Sequence, residues 1–537
     1  MTQNQARSAS LEPHDAPTGK LALPDGVSRP AALSDAGVSI SATRPFTCGW
    51  MLALVFAVAC SAVCRAEDPY VLWATTVPVI GGNSIVGPAG ELTVSMYVGG
   101  GTSALLRFDP QGHPIRTNKL EGVYEFVAFT FDASGNLYLT GRIETNGLFD
   151  VAQVHGFFVA KFSPEHQLLW VLSQGLNDTP NDNTRGTAIA VDPQGNVFVG
   201  AQSAGPLTLG NVVFADGQGP LLCKYDPSGQ LLWAKRIEYQ SNLSYGVAQL
   251  TALSVDSTGH IVASGFMHEG VADFGGTTVF PGSTGHGYGG DFYIARFKPN
   301  GDLDWVQLGY GRTHATDGVG NIYLAWDWAV DGLAGLAKLN SSGDLLWSKT
   351  FTSGTYVNGL ALNPNGEPVF GGSFEGTTSF DGINLVPRSA GFTDFFLAKA
   401  NAQGSIQWAI SGGGTKNDGG DNVVCDLQGN IYFTGFVFES TGSFGGWPLV
   451  PVQQGGYLWT SFAAKISQQP PLKIASTNGA VRISWPVQAT NYVLEAATSL
   501  PAVSWNPVTN NPTVSATERS VQLPITGAAK FFRLKLP

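Results

Sequence analysis

The stretch Val191–Gly200, VDPQGNVFVG, decides the fold. It has a short apolar segment, an Asp, a Gly-Asn pair and then alternating apolar residues. That pattern is a β-hairpin closed by a tight turn. Near-copies recur along the chain as FDASGNLYLTG, VDSTGHIVASG, TDGVGNIYLAW and CDLQGNIYFTG. The turn glycines are Gly90, Gly135, Gly195, Gly259, Gly320, Gly366 and Gly429, 45 to 64 residues apart. Spacing of this kind marks a repeat architecture whose units are single small sheets.

A second signature alternates with the first. It reads apolar-apolar-Ala-Lys, a polar turn, then Leu-x-Trp. Copies end at Trp170, Trp233, Trp305, Trp347 and Trp408, and a worn copy places Ile115 at the Trp position. The period within each stretch is two, as in a strand. One unit is therefore strand A, a tight turn, strand B, a variable insertion, strand C, a second turn and strand D. A lone four-stranded sheet leaves apolar faces bare, so neighbours must pack face to face, and radial repetition gives a propeller. The seventh unit has its C strand, SFAAKIS (Ser461–Ser467), but prolines follow where Leu-x-Trp should stand. The missing strand occurs at the other end as YVLWATTV, with Trp73. An N-terminal strand is expected to complete the last sheet beside Ala463. The fold class expected is all-β: a seven-bladed β-propeller over residues 68–468 closed by an N-terminal strand, then a small immunoglobulin- or fibronectin-like β-sandwich over residues 472–537.

These units resemble the SBBP-type seven-bladed β-propeller repeat of secreted bacterial proteins. The resemblance rests on Asp-x-x-Gly-Asn-x-Tyr-x-x-Gly and on DFYIARFKPNGDLDW (Asp291–Trp305), and covers about Tyr70 to Ser467. It implies a propeller and export, and brings no shared catalytic residues. The tail LKIAS, AVRISW, NYVLEAA, SWNPVT, SVQLPI and KFFRLKLP reads as six short strands. It resembles the C-terminal module with a Phe-Arg-Leu strand found on secreted bacterial proteins. A capping or spacer role and a sorting role both fit it.

Composition agrees with a turn-rich β protein: 68 Gly among 537 residues and only 13% charged residues. Net charge is −11 with Lys and Arg scattered, so no basic stripe suits nucleic acid. Residues 1–45 read as a disordered leader or as sequence upstream of the true start. Residues 46–66 read as a signal peptide: Arg44 precedes a short apolar run from Trp50 to Val63, with small residues to Ala66. That run is shorter than the ~20 residues that span a bilayer, although a short membrane anchor is the competing reading. A secreted or cell-envelope monomer without a membrane span after cleavage is expected. Of five cysteines only Cys223 and Cys425 lie beyond the leader, three units apart, so two free buried thiols are expected.

The turn Asp residues read as turn caps rather than calcium ligands, since each turn supplies one carboxylate. The repeated Trp residues read as packing between sheets. Strand order puts the A–B and C–D turns at one end and the B–C insertions and D–A connections at the other. The second end is the expected binding face. Five residues before the turn Asp, the A strands carry Gly82, Val127, Thr187, Thr251, Arg312, Asn358 and Asp421, with Arg185 and Asn422 close by. The channel-mouth binding residues expected are Arg185, Arg312, Asn358, Asp421 and Asn422. Trp326 and Trp328 break the repeat and read either as packing or as an aromatic platform for a sugar ring.

A protein or glycan partner without a cofactor follows. The competing function is a carbohydrate-active hydrolase or lyase, which needs two carboxylates about 5–9.5 Å apart. Asp178, Asp182 and Asp418 in the D–A connections are its candidates. His155, His268, His286 and His314 fall in different units without metal-ligand spacing, and no nucleophile elbow or phosphate loop is present.

Overall fold

The computed structural model describes residues 69–77, 83–99, 102–120, 128–149, 152–174, 184–241, 248–281, 290–309, 311, 313–326, 333–451, 459–477, 479–487, 489–498, 504–524 and 530–535. The chain divides into residues 1–63 and 64–537, and the first of these lies outside the described residues. The expected leader and signal segments, 1–45 and 46–66, therefore also lie outside them.

The described residues form an all-β, propeller-like arrangement without a helix. Seven four-stranded antiparallel sheets follow one another in chain order. Their first strands are Ser84–Val86, Ala128–Phe131, Arg185–Val191, Ala248–Val255, Thr313–Thr316, Thr355–Leu362 and Gly419–Cys425. Each sheet is numbered 1 to 7 by that strand. The fourth strand of sheet 7 is Tyr70–Val77, paired antiparallel with Trp459–Ser467 so that Trp73 faces Lys465 and Thr75 faces Ala463. The N-terminal segment is thus the outer strand of the last sheet.

Seven apolar clusters lie between consecutive sheets. The pair 6 and 7 shares Phe395, Leu397, Phe433 and Phe462, and sheets 7 and 1 share Trp73, Tyr432, Leu92 and Leu106. Within the sheets a three-layer stack recurs. The C-strand Lys sits over the B-strand ring: Lys161 lies 5.0 Å from Tyr138, Lys224 4.8 Å from Phe198 and Lys338 4.6 Å from Tyr323. The D-strand Trp meets the same rings edge-on, as Trp170 does Tyr138 and Trp233 does Phe198. Sheet 4 has Val262 in place of the aromatic, and there Arg296 instead bridges Asp256 at 3.0 Å and Asp304 at 2.7 Å.

The Trp residues also reach across to the next sheet. Trp170 Nε1 donates to Pro227 O (3.2 Å), Trp233 to Pro299 O (3.2 Å), Trp305 to Ser341 O (3.0 Å) and Trp347 to Ala402 O (3.1 Å). Trp73 of sheet 7 donates to Pro110 O of sheet 1 (3.1 Å). Each acceptor is in the C–D turn of the following sheet, and the indole lies over that turn's glycine. A Cβ on Gly112, Gly301 or Gly404 would approach the ring to 2.5, 2.9 or 3.0 Å, and all three have positive φ. In sheet 1 the register places Arg116, not the expected Ile115, at the Trp position; its guanidinium donates to Glu165 O (3.3 Å) in the turn of sheet 2, where His166 occupies the left-handed position at φ 66°. Four of these Trp residues, 170, 233, 305 and 347, are half-buried rather than enclosed, because they cover a turn at the edge of the sheet. Trp408 is the exception: it is 1% exposed, and its buried N–H has no partner among the described residues. The following sheet has no C–D turn to accept it, since its fourth strand comes from the other end of the chain.

The tail forms two further sheets. One orders Lys473–Thr477, Ala480–Pro486, Glu518–Pro524 and Thr513–Val514, and the other Asn506–Pro507, Val493–Ala497 and Phe531–Lys535. All six expected strands are present, with Thr513–Val514 in addition. Ile483, Trp485, Leu494 and Val521 form the core between them, and Tyr70 packs against it.

Candidate functional site

The two ends of the sheets differ chemically. At the turn end the A–B Asp residues spend their carboxylates on their own turns and on neighbouring strands of the same sheet. Asp192 Oδ1 accepts from the amides of Gln194 (3.0 Å) and Asn196 (2.8 Å), while Oδ2 accepts from Asn196 Nδ2 (2.7 Å). Asp132, Asp317 and Asp426 repeat the arrangement, and Asn363 replaces the acid in sheet 6. Burial acts to raise the Asp132 carboxyl, but bonds from Asn136, Tyr138 and Ser134 outweigh it and leave it below the ordinary value. These are structural caps.

At the other end the B–C insertions fold into β-hairpins where the sequence suggested loops. Leu207–Leu209 pairs with Val212–Phe214, Val271–Asp273 with Thr278–Val279, Thr378–Phe380 with Ile383–Leu385, and Gly442–Phe444 with Trp447–Leu449. Leu209, Phe274, Phe380 and Phe444 insert beneath them and are at most 4% exposed. Asp381 and Gly382, like Gly445 and Gly446, have positive φ at both turn positions, the geometry of the tightest hairpin turn. Arg236 ties down the insertion of sheet 3 through Gly205 O (3.1 Å) and Ala215 O (2.9 Å). Asp381 does so in sheet 6, holding Lys349 at 2.6 Å and the Ile406 amide at 2.8 Å. A motif of a large apolar residue followed by Gly-Gly, Asp-Gly or Gly-Asn was the legible signal for these hairpins.

The described residues expected at a channel mouth are divided among sheets 3, 4, 6 and 7. Thr187, Thr251, Asn358 and Asp421 each stand where the A–B register skips a residue, at a β-bulge. A bulge turns the extra side chain out of its ladder. Three of the nearby polar side chains cross to the next sheet: Thr187 Oγ1 to Leu250 O, Asn358 Nδ2 to Gly420 O at 2.9 Å, and Asn422 Nδ2 to Ser84 O at 2.9 Å. Asn358 and Asn422 therefore hold neighbouring sheets together rather than present amides to a ligand. Arg185 opens its strand opposite Gln202 and is half-buried. Gly82, Val127, Arg312 and Trp328 lie outside the described residues. Trp326 is not an exposed platform: it is 9% exposed, packs with Val262, Ile294 and Leu339, and donates its indole N–H to Leu333 O at 3.1 Å.

Cys223 and Cys425 are both free. Burial pushes each thiol up to about 12, although Cys425 is less enclosed than expected.

The insertion end of sheet 6 holds a surface cleft of about 510 Å³. Ser353, Glu375 and Thr377 supply polar groups, and Val386, Pro387 and Ala390 form an apolar wall. Behind that wall lie two buried acids. Asp394 is 2% exposed and accepts the Arg388 amide at 2.8 Å. Asp418 is fully buried and accepts the amides of Gly414 and, at 2.9 Å, Phe438. A Cβ placed on Gly413 would meet Asp394 Oδ1 and, at 2.9 Å, Asp418 Oδ2, so the two carboxyls approach each other across that glycine. Burial, with Asp394 adding to it, pushes Asp418 up to about 6. Three of their four oxygens accept backbone amides: Asp394 Oδ2 and both oxygens of Asp418. Among the described residues no group of three His, Cys, Asp or Glu side chains converges as a metal site, and no helix is long and apolar enough to cross a membrane.

No family model and no curated protein matches the chain. Among solved structures it is similar to a puromycin-hydrolysing peptidase of Mycobacterium tuberculosis, with 9% identity over 83% of this chain and 64% of that one, TM-score 0.41. It is also similar to a catalytically inactive virginiamycin B lyase of Staphylococcus aureus, with 9% identity over 75% and 96% of the two chains, TM-score 0.36. A third is Sqt1 of Chaetomium thermophilum, with 11% identity over 68% and 97%, TM-score 0.36. Likeness this loose carries no conclusion about function.

Proposed function

We propose that the chain is an exported, non-catalytic binding or scaffold protein of the cell envelope or exterior. Its seven sheets are the blades of a closed β-propeller of the SBBP type, and its insertion end grips a protein or a glycan. Closure is supported by the Tyr70–Val77 pairing and by bonds from sheet 7 to sheet 1 through Trp73, Asn422 and Tyr432, whose hydroxyl reaches Gly90 O at 2.8 Å. The observation that carries the binding role is the asymmetry of the ends. Turn-end polar groups are consumed internally, whereas the insertion end opens a cleft in which Glu375 faces solvent beside an apolar wall.

A glycan and polysaccharide binding screen on residues 68–537 tests this reading. Binding that is lost in Glu375→Ala and kept in the turn-end variant Asp302→Ala is the expected result. Binding insensitive to Glu375 but abolished by Asp302→Ala would overturn the assignment of the face. The approach of Asp394 to Asp418 is the one feature that favours a hydrolase instead. Turnover of a bound glycan that Asp418→Asn abolishes would establish that alternative.

A further inference from the structure

The acid pair behind the cleft is tied to the apolar wall and to the connection that follows sheet 6. The wall, Val386–Gly391, is held by the Arg388 amide on Asp394 and by the Arg388 guanidinium, which reaches Gly413 O at 2.8 Å and Ser443 Oγ at 3.2 Å. Residues 413–418, which connect sheets 6 and 7, close on themselves through Gly414 N and Asp418. They are stapled to Thr393 by its Oγ1 bond to Asp418 O (3.0 Å) and by Asn417 (3.1 Å). Asp418 also holds the end of the second strand of sheet 7 through Phe438 N. One pair of carboxyls thus joins the cleft wall, the connection and the neighbouring insertion.

We propose that Asp394 and Asp418 form a proton-held latch: sharing a proton they fix the 386–391 wall of the cleft, and losing it they loosen that wall and weaken its grip. The proposal rests on the cleft being the binding site, but the motion itself does not. Two carboxylates in a dry site repel when both are ionised, and one shared proton removes the repulsion. The charged group facing both is Arg388, whose hydrogen bonds go to Gly413 and Ser443. Lys416 on the connection turns to the Phe392 ring at 5.1 Å, and Glu439 beside Phe438 is exposed.

The sign follows from the raised Asp418 value. The closed form holds its proton up to about pH 6, while an opened Asp releases it near 3.8. Closure is therefore strongest below pH 3.8 and weakens as pH rises to about 6, above which the loss is complete. Between pH 4.5 and 7.5 the opening equilibrium should rise roughly twentyfold.

Hydrogen exchange of residues 386–391 and 413–418 in the 68–537 protein, without ligand, tests the latch. Asp394→Asn mimics the shared proton, since its oxygen can still accept the Arg388 amide while its NH₂ donates to Asp418. The ratio of wild-type to variant exchange at each pH cancels the intrinsic pH dependence. That ratio should climb about twentyfold from pH 4.5 to 7.5 in these segments and stay level in residues 137–143. Asp418→Asn serves as the second neutral variant and should flatten the same dependence. A ratio that does not change with pH for either variant would overturn the latch and leave the binding reading to its own screen.

Discussion

Gly112→Ala tests the contact that joins the closing strand to sheet 1. Gly112 has φ 88°, and a Cβ there would lie 2.5 Å from Trp73 Cδ2 and 2.9 Å from Cγ and Cε2. A left-handed non-glycine residue costs ~1–2 kcal/mol on its own. The indole must also move, which forfeits the 3.1 Å bond to Pro110 O, a further ~0.5–1.5 kcal/mol. Displacing part of a ring that is 7% exposed adds about 1–2 kcal/mol. The sum is about 3–5 kcal/mol. Gly366→Ala is the matched control: it has φ 73° and nothing within 4 Å of its Cβ position, so only the backbone term applies. Denaturant midpoints of the 68–537 protein, followed by circular dichroism, should separate the two variants by about 2–3 kcal/mol. In a Trp73→Ala background the gap should close, because only strain remains. Equal destabilisation by Gly112→Ala and Gly366→Ala, or a gap that persists without the indole, would refute the reasoning.

Other expectations are simpler. Trp347→Phe loses its bond to Ala402 O and should cost about 1 kcal/mol more than the same change at Trp408, whose N–H has no partner among the described residues; thermal melts of the pair check this. His314 lies between Ser254 and Ser264, and burial pushes its imidazole down to about 4. Its unfolded form takes up a proton first, so stability falls as pH drops from 6.5 to about 4, by about 3 kcal/mol; His314→Gln should abolish that slope in urea titrations across the range. Asp132 and Asp256 sit below their ordinary values, so the stability they confer is complete above pH 3.8 and is lost as pH falls through their folded values. Asp132→Asn should therefore narrow the difference in midpoint between pH 5 and pH 2.5.

The repeat made the sheets, their order and the exchanged outer strand legible, because the turn chemistry of VDPQGNVFVG and the Leu-x-Trp strand are both local patterns. Even the partnerless Trp408 follows from the missing Leu-x-Trp strand after Ser467. The insertions were harder to read. LGN, FGG and FDG are short turn signals inside variable segments, and their period-two flanks span only three residues. The contacts of the mouth residues were hidden for a different reason. Counting back from the turn Asp assumes an unbroken ladder, but Thr187, Asn358 and Asp421 sit at bulges, which change where a side chain goes. The Asp394–Asp418 approach joins residues from a C strand and a D–A connection, and no spacing rule brings them together.

Ring closure is tested most directly by a cross-strand disulfide. Thr75 and Ala463 are directly opposed in the antiparallel pair that completes sheet 7, a separation a disulfide can span. The 68–537 protein carrying Thr75→Cys and Ala463→Cys should oxidise to an intramolecular bond, identified by mass spectrometry of monomer digests. Free thiols at both positions, or bonds formed only between molecules, would contradict a ring closed by its own N-terminal strand.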